Sequence, residues 1–515
     1  LAALFGVGCY LMMEYMIGFE AVRLILLWYA LGRGQKRNLR LRALQTFKRW
    51  LPTLSATTIF ILWRVFIFKS ARSVTDVRSL GKSYASQPFN MLLRVIIESA
   101  KDFIDTVLLS WFVPFYKMLD GARYGDLMIS LMLVAIGIGL VVLYLRWEQS
   151  RSAADPAVDI NTLSPAAPWH RDAIWIGALC ALVALTPAVL ANRQVQYTDA
   201  FDRYTLPGTL GGILMVGGAI FHLLRRRRPL WAVVFLLGIS LITQYNNAIF
   251  FRTFWEYQRQ LWWQLSWRAP DLKDNTALVV ILPQSYRLWE SYEIWGPANL
   301  VYSPNSDQVR IAGEVLNSTT LIPMMRQESF LRTMRRVEYP IDFKNSLVIN
   351  MPTAISCVQL LDGERLEISE YSDPMVRLVA SISDISLVKT SAQPLSPPAI
   401  IFGPEPARNW CYYYQRASLA RQIGNWEEVA RLGDQAAQAG LFPQDDVEWL
   451  PFYEGYAYLR RLDDSNRIGA LLRENYSFIH TYCPQFTAAE IPPGPDEGIE
   501  RYMIENICGA DTSSE

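Results

Sequence analysis

The feature that most constrains this chain is the series of long apolar runs in its first half. Six runs are long enough to cross about 30 Å of hydrocarbon as helices. Residues 1–13 resemble part of a further one. We therefore predict a polytopic α-helical membrane domain over residues 1–250, with about six to seven spans. The six runs lie near 16–32, 51–68, 126–146, 173–191, 207–224 and 230–248.

The segment 91–119 is also rich in apolar residues, but charge interrupts it. Its first part carries Arg94, Glu98, Lys101, Asp102 and Asp105. A charged side chain is costly in the middle of a bilayer. We therefore predict an interfacial or re-entrant helix here rather than a full span.

Charge divides the chain into two halves. The 515 residues have a formal net charge of +1. Residues 1–250 hold 26 Lys and Arg against 14 Asp and Glu, a net of +12, and the rest hold 23 against 34, a net of −11. This segregation excludes one soluble globule, a disordered chain and a small disulfide scaffold. It predicts a basic membrane half joined to an acidic soluble half.

Basic loops predict which way the chain crosses the membrane. Loop 33–49 carries seven basic residues and no acid, and Arg225–Arg228 form a second block. Four predicted spans separate these blocks, so both can be cytoplasmic. The last span then makes the soluble half extracytoplasmic. The predicted location of the protein is the bacterial inner (plasma) membrane. Lys69, Arg72, Arg78 and Lys82 fall outside in this topology and argue against it, but the arginine block weighs more.

The second half changes character along its length. An amphipathic run of aromatic, Arg and Gln residues follows the last span and is typical of a helix at the headgroup level. Short β-branched runs at 276–282, 346–350 and 357–361 predict strands. The predicted parts are an aromatic juxtamembrane interfacial helix at 251–275, an extracytoplasmic α/β domain at 276–405, a helical domain at 406–490 and a flexible tail at 491–515.

The helical domain resembles a tetratricopeptide repeat. Small and aromatic residues at Ala417, Gly424, Trp426, Val429 and Ala436 have the spacing of that repeat, and a poorer copy follows at 455–457. This half is similar to uncharacterised tetratricopeptide-containing bacterial membrane proteins. The strings that carry that similarity are Trp267-Arg-Ala-Pro270, Trp410-Cys-Tyr-Tyr-Tyr414 and Trp449-Leu-Pro-Phe452. We predict helical hairpins packed on the α/β domain, or else a protein-binding module.

Few residues in the chain suit metal or cofactor chemistry. There are only three histidines, and the six cysteines include no CxxC pair. No HExxH, Walker A or nucleophile-elbow sequence is present. We expect no metal, no cofactor and no nucleic-acid partner. Four cysteines in the soluble half can form disulfides only in an oxidising compartment, and their pairing is left open.

One string suggests an enzyme class. Phe201-Asp-Arg-Tyr-Thr-Leu-Pro207 enters a predicted span from the outside and resembles the Arg-Tyr-x-x-Pro sequence that begins a late helix in GT-C-type glycosyltransferases. The run Met13–Glu20, with the span and basic loop after it, is similar to the middle of such proteins. The resemblance covers roughly residues 1–250. It implies transfer of a sugar from a polyprenyl-phosphate donor at the outer face, with Arg203 and Tyr204 binding the lipid phosphate.

Two intramembrane carboxylates are the candidates for acid–base work. Glu14 and Glu20 lie where the first span meets the outer surface. Glu20 and Arg23 are three residues apart and can instead form an ion pair that orients the helix. The acidic residue that defines GT-C enzymes would lie upstream of Leu1. We therefore expect this chain to lack the N-terminal catalytic region of such a transferase.

Two classes of function follow from these patterns. The first is a GT-C-like protein that handles a polyprenyl-phosphate-linked sugar. Its partners would be membrane lipids and that lipid-linked sugar. The second is a non-catalytic membrane-anchored scaffold or accessory subunit that binds a protein partner through its helical C-terminal domain.

Overall fold

The computed structural model describes residues 2–32, 39–68, 77–119, 123–154, 169–197, 202–224, 228–283, 286, 288–334, 337–365, 367–485 and 496–509. The chain divides into two compact units, Leu1–Phe250 (unit 1) and Phe251–Glu515 (unit 2). Some of the basic residues used above to predict orientation, Arg33, Lys36, Arg37 and Arg225–Arg227 among them, lie outside the described residues. So do Lys69 and Arg72.

Unit 1 is helical. Six helices of the described part are long and apolar enough to cross a membrane, at Glu14–Gly32, Leu39–Ile67, Tyr124–Arg151, Trp169–Leu190, Arg203–Leu223 and Pro229–Arg268. This is the architecture of a multi-pass membrane protein. Its helices are α1 (Ala2–Met12), α2 (Gly18–Gly32), α3 (Leu39–Leu62), α4 (Val77–Ser86), α5 (Pro88–Val107), α6 (Val113–Leu119), α7 (Tyr124–Ala154), α8 (Trp169–Leu190) and α9 (Leu206–Leu223), followed by α10 (Arg228–Arg268), which continues into unit 2.

The charged segment 91–119 does not form one of the six long apolar helices. It is divided between α5, a short 3-10 turn at Leu109–Trp111 and α6. Proline at the first turn starts α5, where its missing N–H leaves no helical hydrogen bond unmade. The buried residues of α5 are Asp102, Thr106 and Val107, so this helix presents a mixed polar and apolar face to the unit.

Small residues let α8 and α9 approach closely. A Cβ placed on Gly211 would lie only 2.2 Å from the backbone nitrogen of Ala181. A Cβ on Gly177 would lie 2.4 Å from the backbone nitrogen of Met215. The contacts pair early α8 residues with late α9 residues, so the two helices are antiparallel. Such contacts are the common way for helices to associate in lipid, where apolar surface alone gives no preference.

Helix α10 runs without a break from unit 1 into the core of unit 2. Its last turns contradict the prediction of an interfacial helix over 251–275, because Trp262 is 1% exposed and belongs to the main core of unit 2. Trp263 and Trp267 are also buried, and the Trp267 indole donates to Glu405 at 3.0 Å. Only the first turns, which carry Phe251 and Trp255, keep their aromatic side chains exposed. The second part of the aromatic run therefore belongs to a domain core.

A four-stranded sheet packs on this end of α10. The order is β2-β1-β5-β6, with β1 parallel to β2 and β5, and β6 antiparallel to β5. All residues of β1 and β5 are buried, which explains their continuous apolar sequences. A separate hairpin pairs β3 with β4. The strands are β1 (Ala277–Ile281), β2 (Ala312–Val315), β3 (Ser329–Met334), β4 (Val337–Asp342), β5 (Ser346–Asn350) and β6 (Gln359–Leu360).

Helices complete unit 2. Four accompany the sheet or the loop after it: α11 (Tyr292–Tyr302), α12 (Ser318–Met325), α13 (Pro374–Val379) and α14 (Ala399–Phe402). The rest are α15 (Trp410–Gln422), α16 (Trp426–Gln438), α17 (Leu450–Tyr458), α18 (Leu462–Glu474), α19 (Tyr476–Tyr482) and α20 (Glu497–Cys508). Gly424 has a φ of +68° in the short turn between α15 and α16, where glycine avoids the strain of a side chain.

Two disulfides close unit 2 among the described residues. Cys357–Cys411 joins the segment before β6 to α15, and Cys483–Cys508 joins the end of the α19 region to α20. The flexible tail predicted for 491–515 therefore needs correction. Residues 497–508 form α20, which an Asp496 cap begins and the disulfide ties down. Residues 491–495 and 510–515 lie outside the described residues.

Candidate functional site

Glu20, one of the two predicted acid–base candidates, is the centre of a hydrogen-bonded cluster. It is 5% exposed. Tyr10 Oη donates to Glu20 Oε1 at 2.6 Å, Arg23 forms the predicted ion pair with the same oxygen, and Trp50 Nε1 donates to Oε2 at 3.1 Å. Three donors leave this carboxylate little capacity to take a proton from a substrate. Its geometry is that of a group that joins α1, α2 and α3.

Glu14 lies at the end of unit 1 where α3 finishes. Its Oε1 is 2.5 Å from Arg64 Nε, and the Glu14 side chain remains 45% exposed. The Arg64 guanidinium also lies over the ring of Phe68, 4.9 Å from the centroid. The fold thus gives Arg64 a partner fifty positions earlier in the chain.

Arg203 and Tyr204 begin α9 at this same end. They lie in a single 3-10 turn, Asp202–Thr205, and Pro207 occupies the first turn of the helix. Tyr204 is 1% exposed and contacts Tyr15 edge to face at 4.9 Å, whereas Arg203 is exposed. The Arg203 guanidinium is 5.4 Å from the Tyr204 ring centroid, within range of a cation–π contact.

These contacts show which predicted site residues come together. Tyr15 is adjacent to Glu14 and contacts Tyr204, so Glu14, Arg203 and Tyr204 share one end of unit 1. Both Arg193 and Arg203 interact electrostatically with Tyr15. Glu20 is committed to its own cluster. We call the set Glu14, Tyr15, Arg193, Arg203 and Tyr204 the end cluster.

Asp102 belongs to the same end and was not selected from the sequence. It is 1% exposed on α5, and its Oδ1 accepts the Val195 N–H at 3.3 Å just beyond the end of α8. Its Oδ2 has no hydrogen-bond partner in the described structure. The signal available in the sequence was the helical spacing of Glu98, Asp102 and Asp105. Only the packing of α5 on α8 and α9 distinguishes the buried carboxylate from the others.

Unit 2 contains buried charges of a different kind. Arg421 donates from Nη1 to Glu367 Oε2 and from Nε to Glu454 Oε2, both at 2.8 Å. Glu454 also binds Arg365 at 3.0 Å. Although burial opposes the charged form, these two cations hold the pKa of Glu454 below its ordinary value. The arrangement joins the loop after the sheet to α15 and α17 and leaves no free reactive group.

Glu448 is a second buried carboxyl of unit 2. It is fully buried and accepts the Cys357 N–H at 2.6 Å and the Trp410 indole N–H at 2.7 Å. Burial raises the pKa of Glu448 to about 8 despite these donors. Its position beside the Cys357–Cys411 disulfide makes it part of the junction between sheet and helices.

The helical part of unit 2 also has a small pocket. It is lined mainly by aromatic and apolar side chains, together with Arg467. The lining includes Trp410, Leu441, Phe442, Trp449, Phe452 and Tyr456. Phe442 is 62% exposed, whereas Trp410, Phe452 and Tyr456 are buried.

Among the described residues, no group of three His, Cys, Asp or Glu side chains is placed to hold a metal ion. Comparison with known proteins adds no assignment, since no protein-family model, curated protein or solved structure matches the chain.

Proposed function

We propose that this is a GT-C-like membrane protein that binds a polyprenyl-phosphate-linked sugar at the outer face of the bacterial inner membrane. The observation that carries the proposal is the end cluster, in which an exposed Arg203 stands on a buried Tyr204. A guanidinium binds phosphate oxygens with a planar fork of N–H donors. Because the Tyr204 ring is packed against Tyr15, the backbone that presents this arginine is well positioned.

The proposed sidedness is supported by the cysteines of unit 2. All four pair with one another, while Cys9 and Cys180 of unit 1 are free. Disulfides persist in compartments such as the bacterial periplasm and are rare in the cytoplasm. Four of the candidate spans lie between residues 38 and 225, although Arg40, Arg42, Lys48 and Arg49 of the first basic block belong to the first of these helices and not to a loop. Unit 2 is accordingly proposed to be extracytoplasmic.

In the same proposal the residues of the end cluster have different roles. Arg203 binds the lipid phosphate and Tyr204 holds its backbone in place. Glu14 forms an ion pair with Arg64, so these two side chains add no net charge beside the site. Asp102, with an oxygen that lacks a partner, is a better acid–base candidate than Glu20, all of whose carboxylate is engaged.

The test is binding of a polyprenyl phosphate to the full chain in nanodiscs, with the unphosphorylated polyprenol as reference ligand. Loss of a charged hydrogen bond is worth about 1.5–3 kcal/mol, so Arg203→Ala should weaken phosphate binding by about tenfold or more. Arg203→Lys should retain part of the affinity. Arg252→Ala, which removes an exposed charge elsewhere, is the control. Equal affinity of Arg203→Ala and the unaltered chain, or equal affinity for phosphate and alcohol, would reject the site.

A second function is favoured by the exposed Phe442 of unit 2. A scaffold or accessory subunit would bind its protein partner through this side chain. Phe442→Asp should then abolish co-purification of that partner while leaving lipid-phosphate binding intact. Ile322→Asp, at an exposed apolar residue of α12, is the matched control. If both variants retain the same partners, Phe442 is not part of the binding surface.

A further inference from the structure

A short apolar loop of unit 2 packs against α10 near Trp255 and Arg259. Residues 390–404 carry no charged side chain. Within them, α14 exposes two isoleucines, with Ile400 95% and Ile401 43% exposed. Burial of such an isoleucine in an apolar environment is favourable.

Three contacts fix the position of this loop along α10. Trp255 Nε1 donates to the Ile401 carbonyl at 2.9 Å. Arg259 Nη2 donates to the Pro404 carbonyl at 2.7 Å. Gly403, with φ +69°, lies against the Trp255 ring, where an added Cβ would be 3.3 Å from it. The loop is therefore at the level of Trp255, one turn beyond Phe251.

The length of the uncharged part of α10 indicates how deep Trp255 lies relative to the membrane. Residues 229–251 of α10 contain no charged side chain, and Arg252 is the first after them. At about 1.5 Å per residue this stretch is about 33 Å long, close to the roughly 30 Å of a bilayer's hydrocarbon core. Trp255 then lies about 5 Å beyond it, at the depth of the headgroups. Trp255 (41% exposed) and Phe251 (58% exposed) present further apolar surface there.

We propose that Ile400 and Ile401, with Phe251 and Trp255, form a membrane-dipping anchor whose partner is the lipid surface. The three contacts to α10 hold the isoleucines at the interface, where their exposure in water is replaced by contact with acyl chains. This proposal depends neither on the lipid-phosphate site nor on which face of the membrane unit 2 occupies. The surface proposed to contact the membrane is therefore smaller than the aromatic helix predicted from the sequence. It consists of two turns of α10 and a loop about 145 residues further along the chain.

The experiment measures the depth of a fluorophore in the full chain. Ile400→Cys is labelled in a Cys9→Ser, Cys180→Ser background and reconstituted in phosphatidylcholine vesicles that contain nitroxide lipids. Because Ile400 is almost fully exposed, its replacement leaves the fold intact. The control is Ile423→Cys, which is 57% exposed and adjacent to Gln422. Gln422 binds Arg268, about 20 Å further along α10 than Trp255.

We expect a shallow nitroxide lipid to quench the label at position 400 at least threefold more than the label at 423. A soluble quencher should show the reverse order. Comparable lipid quenching at the two positions, or quenching at 400 only from the aqueous phase, would overturn the proposal. Introducing Ile401→Asp into the Ile400→Cys chain should reduce the lipid quenching at 400 by half or more; unchanged quenching would also count against the anchor.

Discussion

Different contacts hold the elements of unit 1 and of unit 2 together. In unit 1, α8 and α9 meet where glycine and alanine allow one backbone to touch the other. In unit 2, sheet and helices are joined by an arginine shared between two glutamates and by disulfides. Lipid tails compete with apolar side chains for helix surfaces, so unit 1 depends on close fit. Water drives the burial of apolar side chains in unit 2, and the ion pairs of Arg421 add links between its parts.

The largest effect is expected when the buried ion pairs of unit 2 are broken. Arg421→Ala would leave Glu367 and Glu454 without their main partner, and removal of one member of a buried pair typically costs about 3–5 kcal/mol. The free energy of unfolding of unit 2 should fall by that amount in pulse proteolysis with urea, scored on unit 2 peptides. Arg431→Ala removes an exposed pair with Glu428 and should cost at most about 1 kcal/mol. Similar losses in both variants would show that the buried network contributes nothing special.

A smaller effect is expected from a single methyl group between α8 and α9. Gly211→Ala places a Cβ where Ala181 already lies, and overpacking of this kind costs about 1–3 kcal/mol. Gly217→Ala on the same helix meets no atom within 4 Å and should be neutral or slightly stabilising. Thermal unfolding in detergent, followed by exposure of Cys180 in α8 to a thiol reagent, compares the two. Equal midpoints would contradict close packing as the source of stability in unit 1.

The last prediction concerns how the stability of unit 2 depends on pH. Because the pKa of Glu448 is raised to about 8, the folded unit keeps a proton that the unfolded chain releases near pH 4.5. Stability should therefore fall as pH rises from about 4.5 to 8, by up to about 1.4 kcal/mol per pH unit. Glu448→Gln should lower the stability overall, because the Gln N–H₂ group would face either the Cys357 N–H or the Trp410 indole N–H, which are both donors. The dependence of stability on pH should become weaker, because Gln does not titrate. An unchanged slope in the variant would mean that other groups cause it.

Much of the organisation was predictable because it depends on local composition. The apolar runs indicated the spans, since about 20 uncharged residues have few other ways to fold. The runs at 276–282 and 346–350 indicated the two central strands for the same kind of reason. Spacing also predicted the Glu20–Arg23 pair, because residues three apart on a helix are neighbours.

The rest was decided by contacts between residues far apart in the chain. Neither the pairing of the cysteines nor the Glu14–Arg64 contact follows from spacing. The buried position of Asp102 depends on three helices at once, and its candidacy could not be separated from that of Glu98 or Asp105 in the sequence. The aromatic run after residue 250 has one pattern but two environments, because Trp255 faces outwards while Trp262 lies in a core.

The sequence by itself determined that the first half of this chain forms long apolar helices, because hydropathy acts on each segment separately. Only the tertiary structure decided which carboxylates are engaged, which arginine is exposed and which loop lies at the level of Trp255. Those properties depend on the distances between side chains, and the chain sets such distances only when its helices and strands pack together.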